Sequence, residues 1–285
     1  MEWIKRLNAS IDYIERHLEG RVDYQRAAQI ACCSVFHYQR MFSYIADIPL
    51  GEYIRRRRMT LAAFALQQER GEKVIDIALR YGYDSPTAFA RAFKAVHGVS
   101  PSRAREKGVR LSAYPRIAFH VTIKGEVQME YRIVEKEAFR IVGVKRHYDL
   151  AVAQEADIGI PAFWSEAGGV IPKLCELMDR SPEGILGVCT CMDGSDFDYY
   201  IAAATTKEAP EGMAQYEIPV CTWAVFPCLG PMPGAIQRLQ KRIVSEWLPT
   251  SGYTYADAPD IECYTDGDMS APDYRCEVWL PVVKK

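Results

Sequence analysis

Two segments of the chain repeat one another at an offset of 51 residues. Ala27, Ser34, Arg40, Phe42, Ile45 and Ile48 in the first correspond to Ala78, Ser85, Arg91, Phe93, Val96 and Val99 in the second. Each copy has a small residue where two helices must approach, a short turn, a serine able to cap the next helix, and an outward arginine on that helix. In the second copy Pro86 follows Ser85, at the first helical position, where a missing N–H leaves nothing unsatisfied. Any helical hairpin can mimic one such pattern, but two in register point to a tandem pair of helix-turn-helix units. The stretch between them, GEYIRRRRMTLAAFALQ, would make a helix of about 25 Å at 1.5 Å per residue. Recognition helices in successive major grooves need roughly 34 Å.

At 285 residues the chain is long enough for two ordinary domains, and its charge divides the same way. Residues 1–110 carry 19 Lys and Arg against 12 Asp and Glu, while the rest carries 16 against 25. A basic amino-terminal region joined to an acidic carboxy-terminal one predicts that only the first approaches a polyanion. The hydrophobic period changes too. WIKRLNASIDYIERHL places Ile4, Leu7, Ile11, Ile14 and Leu18 at helical spacing, whereas Val127, Met129, Tyr131 and Ile133 alternate as a strand requires. The boundary falls between Gly108 and Val121. Beyond it, strands are predicted at 127–134, 139–147, 185–192, 197–204, 216–226, 261–265 and 274–282, with helices near 161–179 and 234–247, an α+β pattern. Nine scattered cysteines without a Cys-x-x-Cys pair predict reduced thiols, and Cys189-x-Cys191 has no histidine near it for a metal. No metal or cofactor is expected. No segment resembles a signal sequence or a membrane span, so no membrane partner and a cytoplasmic location are expected.

The segments ACCSVFHYQRMFSYIADIPLGEYIRRRRM and VIDIALRYGYDSPTAFARAFKAVHGVSPSRAR resemble the DNA-binding domain of the AraC/XylS family of bacterial transcription regulators. The likeness covers almost all of residues 1–108. It implies an all-α double helix-turn-helix domain there, followed by a linker over 109–124. By this resemblance the first recognition helix is 34–44, with Phe36, Gln39 and Arg40 facing bases, and the second is 85–95, with Pro86, Thr87 and Arg91 facing out. These are chemically apt: Arg bonds guanine O6 and N7 together, Gln pairs with adenine, and an aromatic ring or Thr methyl touches the thymine methyl. A phosphate or an intramolecular carboxylate is the alternative partner for Arg40 and Arg91. Arg55 to Arg58 point in four directions on a helix, so one or two of them, Arg55 first, are expected on phosphate and the others in solvent or paired with acids. Ala31-Cys32-Cys33 stands where the family usually has a glycine, which leaves the first turn's geometry open.

The motifs IPAFWSEA, FDYYIAAA, QYEIPVCTWAVF, EWLPTSGYTYADAPDIECY and YRCEVWLPV resemble the GyrI-like effector-binding domain. This implies, for residues 125–285, two βαββ repeats with a ligand cleft between them. The resemblance puts Glu262, in a Glu-x-Tyr motif with Tyr264, in that cleft. A buried carboxylate is relieved by a cationic ligand or a raised pKa. Tyr148, Trp164 and Trp223 are the expected aromatic walls, with the core as the alternative place for each, and Glu277 is a second candidate acid with a surface position as its alternative. The function so implied is a regulator that binds double-stranded DNA and senses a small amphipathic effector, aromatic and in one form cationic, as multidrug sensors do. RNA polymerase is a further candidate partner. Two other readings compete: a hydrolase of strained electrophilic natural products using Glu262 and a second carboxylate, and an architectural DNA protein whose second domain is filled by its own side chains.

Overall fold

The computed structural model describes residues 2–68, 72–119, 128–149, 159–190 and 196–285. Residues 120–127, which hold Val127 of the predicted strand and the end of the expected linker, and Cys191 lie outside these residues. Six helices come first: α1 (Glu2–Arg16), α2 (Tyr24–Ile30), α3 (Val35–Ala46), α4 (Leu50–Gln68), α5 (Val74–Arg80) and α6 (Pro86–His97). After them come β1 (Arg132–Lys136), β2 (Phe139–Asp149), α7 (Ile160–Glu166), α8 (Ile171–Leu177), β3 (Ile185–Thr190), β4 (Asp196–Ala204), β5 (Ala214–Ile218), β6 (Cys221–Leu229), α9 (Gly234–Arg242), β7 (Tyr253–Tyr255), β8 (Asp260–Tyr264) and β9 (Arg275–Lys284). No helix among the described residues is long and apolar enough to cross a membrane. Packing divides the chain into two compact units, Glu2–Cys32 with Ala46–His120 and Cys33–Ile45 with Val121–Lys285.

In the helical unit, Leu7, Ile11, Ile14 and Leu18 of the first periodic stretch are all buried. Asp23 caps α2 by accepting from the backbone N–H groups of Gln25 and Arg26 at 2.9 and 3.1 Å. Ser85 caps α6 by accepting from Ala88 N–H, Pro86 lies in the first turn, and Gly98 closes the helix at φ 75°. Met59, Ala62, Ala63 and Leu66 of α4 form a core with Ile77 and Ala78 of α5 and Phe89 and Phe93 of α6. The four arginines of α4 stay within the unit. Arg55 and Arg56 both bind Glu52, Arg57 grips Glu15 through Nε and Nη2 at 2.9 and 2.8 Å, and Arg58 donates to the carbonyls of Leu18 and Gly20. A portion of the expected linker is docked here: Phe119 exchanges two hydrogen bonds with the Asn8 side chain, and Tyr114 N–H donates to Thr60 Oγ1.

The repeat is uneven by one residue. Helices α3 and α6 start 51 residues apart, but α2 and α5 start 50 apart, so Ala28 rather than Ala27 is the counterpart of Ala78, and the first turn is one residue shorter. Cys32 then takes the place of Gly82, and both have positive φ, 57° and 78°. The left-handed conformation costs a residue with a Cβ roughly 1–2 kcal/mol. Cys32→Gly is therefore expected to raise stability by about 1 kcal/mol, reduced by glycine's larger chain entropy when unfolded; denaturant unfolding measures it, and a loss of stability would show that the turn is not strained.

The second unit is built on a sheet of order β1-β6-β9-β8-β3-β4-β2-β5, with β7 paired to β9. The expected pair of βαββ repeats is visible in this order. The first is β2, then α7 and α8, β3 and β4; the second is β6, α9, β8 and β9. They join through antiparallel β3 and β8, where Gly187 lies opposite Glu262 and Cys189 opposite Asp260. Single predicted elements come out divided. The helix near 161–179 breaks at Gly168-Gly169 into α7 and α8, and the strand 216–226 divides at Pro219-Val220 into β5 and β6. β1 begins only at Arg132, where its ladder with β6 starts.

Strand alternation sorts the side chains to two faces. One face carries Phe197, Tyr199, Ile201 and Cys189, packed with Phe163 and Leu174 of the helices, and Ala224, Phe226, Val278 and Leu280, packed with Ile236, Ile243 and Trp247. The other carries Ile141, Leu186, Val188, Tyr200, Trp223, Ile261 and Trp279.

Candidate functional site

On the helix-bearing face the alternation of β8, Asp-Ile-Glu-Cys-Tyr, aligns Asp260, Glu262 and Tyr264 while Ile261 and Cys263 turn to the opposite core. Glu262 accepts hydrogen bonds from Tyr199 Oη at 3.1 Å, Tyr264 Oη at 3.0 Å and Gln240 Nε2 at 2.6 Å. Trp164 donates from Nε1 to Tyr199 Oη at 3.0 Å and meets Tyr264 edge-on, ring centres 4.8 Å apart. Burial, and then the neighbouring Glu262 carboxylate, push the Tyr199 and Tyr264 phenols well above their ordinary pKa. Both stay neutral donors. Gly187 makes room for this group, since a Cβ there would collide with Tyr199 Oη and sit 3.1 Å from Glu262 Oε2.

Helix α3 belongs to this unit. Its Arg40 places Nε 3.5 Å from Asp260 Oδ2 and Nη2 3.6 Å from Glu262 Oε1, with its side chain only 10 % exposed. The same Nε donates to Tyr44 Oη at 2.8 Å. His37 stacks on Tyr255 at 4.2 Å, and its Nε2 stands 3.5 Å from Asp260 Oδ1. Phe36 packs against Phe197, centres 5.7 Å apart. Burial works against the Arg40 charge, but the surrounding Cys189, Tyr44, Asp260 and Glu262 outweigh it and hold the guanidinium pKa well above its usual value. Burial raises Asp260, and Arg40 and His37 more than reverse this, leaving its pKa lowered. Burial, above all, sends the Cys189 thiol up to about 12. The space left among Arg40, Tyr44, Gln240, Tyr255, Asp260 and Glu262 is about 10 Å³, scarcely enough for one water molecule.

The expected site residues fall into distinct groups. Glu262, Tyr264 and Trp164 come together as one hydrogen-bonded cluster. Tyr148 is buried behind it, donating to the Gly159 carbonyl at 3.1 Å within the core of α7, α8 and the sheet. Trp223 is 0 % exposed on the opposite face, edge-to-face with Trp279, so it is no cleft wall; its position on β6 is one residue out of phase with Ala224 and Phe226. Glu277 is likewise on the other side of β9, paired with Arg132 and Trp279 Nε1. Phe36, Gln39 and Arg40, expected to face outward, are buried. The reason is that α3 is apolar or occupied on nearly every side, and Arg40 has taken the intramolecular carboxylate alternative. Pro86, Thr87 and Arg91 of α6 are exposed, opposite the buried Phe89, Phe93 and His97. Arg55 is bound to Glu52 at 2.6 Å. The residues that sequence reasoning missed are Tyr199, Gln240 and Asp260. The alternation in FDYYIAAA and DIECY already places Tyr199 and Asp260 on the cleft face, but nothing local marks Gln240.

A family model described as a GyrI-like small molecule binding domain matches residues 129–283, and one described as a helix-turn-helix domain matches 27–107. The HTH-type transcriptional activator AarP of Providencia stuartii is 47 % identical over 93 residues, which are 33 % of this chain and 68 % of that protein. The right origin-binding protein of Escherichia coli K12 is 26 % identical over 288 residues, 95 % of each chain. A solved structure of SAV2435 bound to tetraphenylphosphonium is 27 % identical, with a TM-score of 0.50, over 54 % of this chain and 94 % of that one. With a helical amino-terminal region that carries the repeat and a twofold βαββ sheet that carries the acid-aromatic cluster, the chain belongs to the AraC/XylS-type helix-turn-helix transcription regulators that bear a GyrI-like small-molecule-binding domain.

Proposed function

We propose that the chain is a sequence-specific DNA-binding regulator whose GyrI-like cleft binds a small amphipathic aromatic cation. The observation that carries the effector half is Glu262, a carboxylate at the β3–β8 junction ringed by Trp164, Tyr199 and Tyr264. An anionic floor with aromatic faces attracts a delocalised cation through charge and through cation–π contacts of about 0.5–2 kcal/mol each. The likeness to a protein bound to tetraphenylphosphonium supports the same ligand chemistry. The hydrolase reading is disfavoured because both Glu262 oxygens are already engaged, accepting hydrogen bonds from Tyr199, Tyr264 and Gln240. Calorimetric titration with tetraphenylphosphonium tests the effector reading; heat of binding at one site per chain is expected, and a flat titration in the presence of DNA, as in its absence, would remove it.

For DNA, α6 is the reader: Thr87 and Arg91 are exposed on a helix whose opposite side is packed. Phe36, Gln39 and Arg40 of α3 read the second half of the site when that helix is available, and Arg55 adds a phosphate contact. RNA polymerase is a partner of the bound regulator. Sequencing DNA retained by the purified protein defines the site. Arg91→Ala is then expected to weaken the selected site by about 1–3 kcal/mol and to relax the preference at one base pair. A uniform loss on all sequences, with a shallower salt dependence, would instead make Arg91 a phosphate contact.

A further inference from the structure

The effector cleft of this chain is already filled, and by a recognition helix. Arg40 of α3 brings a planar, delocalised cation to within 3.5 Å of Asp260 and 3.6 Å of Glu262, flanked by the Phe36 and Tyr44 rings at 5.8 and 5.5 Å. That is the chemistry a flat aromatic cation would present to the same acids, and the 10 Å³ that remains admits no ligand beside it. We infer that α3 is an internal ligand, so that cationic effector and α3 cannot occupy the cleft together, and that effector binding frees Phe36, Gln39 and Arg40 for DNA. The inference rests on the effector reading above.

The docked state is built to be displaced. Neither Arg40–carboxylate contact is a close hydrogen bond of the roughly 2.7–2.9 Å that charge-assisted pairs reach; Arg40's short contact is to Tyr44 on its own helix. His37 Nε2 and Asp260 Oδ1 are buried facing each other at 3.5 Å, and among the described residues neither makes a well-formed hydrogen bond, a loss that an exposed α3 would recover from water. Both ends of the helix are bracketed by non-glycine residues in the left-handed region, Cys32 and Asp47, each at φ 57°, and these flank the points where the chain passes between its two compact units. The two acids thus compete with DNA for one guanidinium, and a cation that satisfies them removes the competition. By linkage, the effector tightens DNA binding by the factor by which DNA tightens effector binding.

The test uses the full chain, with tetraphenylphosphonium as probe. Arg40→Ala removes the internal cation, so it is expected to bind the probe about tenfold more tightly than the parent, as when an open state of about one molecule in ten becomes dominant. Equal or weaker binding by Arg40→Ala overturns the inference while leaving the effector reading intact. Hydrogen exchange of the amides in 35–46 gives a second, independent measure: the probe should speed exchange there, and unchanged or slower exchange at saturation counts against displacement. If neither protein binds the probe, the effector reading fails, and Asp260→Ala still decides whether the acids hold α3. Faster exchange across 35–46 in that variant supports the docked helix, and exchange equal to the parent overturns it.

Discussion

Glu262→Gln is expected to weaken binding of a cationic effector severely while leaving the fold in place. Gln keeps the shape of the side chain and one acceptor for Tyr199 and Tyr264, and Gln240 can turn its amide to accept from the new NH₂ group, so only the charge is lost. Removing one partner of a buried, hydrogen-bonded charge pair costs about 2–5 kcal/mol, or roughly one and a half to three and a half orders of magnitude in Kd. The comparison is cleanest in an Arg40→Ala background, where α3 supplies no competing cation. There, tetraphenylphosphonium should lose affinity by that amount, and uncharged triphenylphosphine oxide should lose little. Equal losses for both would mean that Glu262 shapes the cleft and does not select charge.

Gly143→Ala should be the most damaging single methyl group in the sheet. Gly143 lies in the middle of β2, opposite Ala202 of β4. A Cβ there would collide with the Ile201 carbonyl oxygen, 2.5 Å from Ala202 Cα and 2.7 Å from Ala202 Cβ. These are backbone atoms and a side chain with no rotamer to change, so the only relief is to push β2 and β4 away from each other. Overpacking of this kind exceeds the usual cost of about 1–3 kcal/mol, and the expected fall in melting temperature is about 6 °C or more. A melting temperature within about 2 °C of the parent, the shift of a cost under 1 kcal/mol, would show that β2 and β4 are not so closely apposed. Gly187→Ala differs, because its obstacle is the end of a Tyr199 side chain.

The repeat, the Ser85-Pro86 helix start, the basic amino-terminal region and the change to strands are legible from local pattern, and the two βαββ units through the resemblance. Period 3.6, period 2 and cap chemistry are properties of neighbouring residues, and the packed structure does not override them. The cluster of Glu262, Tyr264 and Trp164 is legible through the resemblance. The corrections at Trp223 and Glu277 share one cause. Trp223 and Glu277 are expected near the cleft by residue type, but a one-residue difference of phase on a strand sends a side chain to the other face. The same phase rule, applied to Asp260 and Tyr199, brings two further residues into the site. In sequence Cys32 is only an anomaly of the turn, and the one-residue shortening that makes it the counterpart of Gly82 shows only when the helix starts are known.

The amino-acid order was enough to specify the class of protein and its two kinds of domain, because periodicity, caps and the motifs that carry the resemblance all lie in short spans. Which of two uses Arg40 serves was decided only by the folded chain. A guanidinium suits guanine and carboxylate equally well, and Asp260 and Glu262 lie more than 200 residues away in sequence. Long-range packing against the sheet, which no local pattern encodes, is what brings them to the same helix.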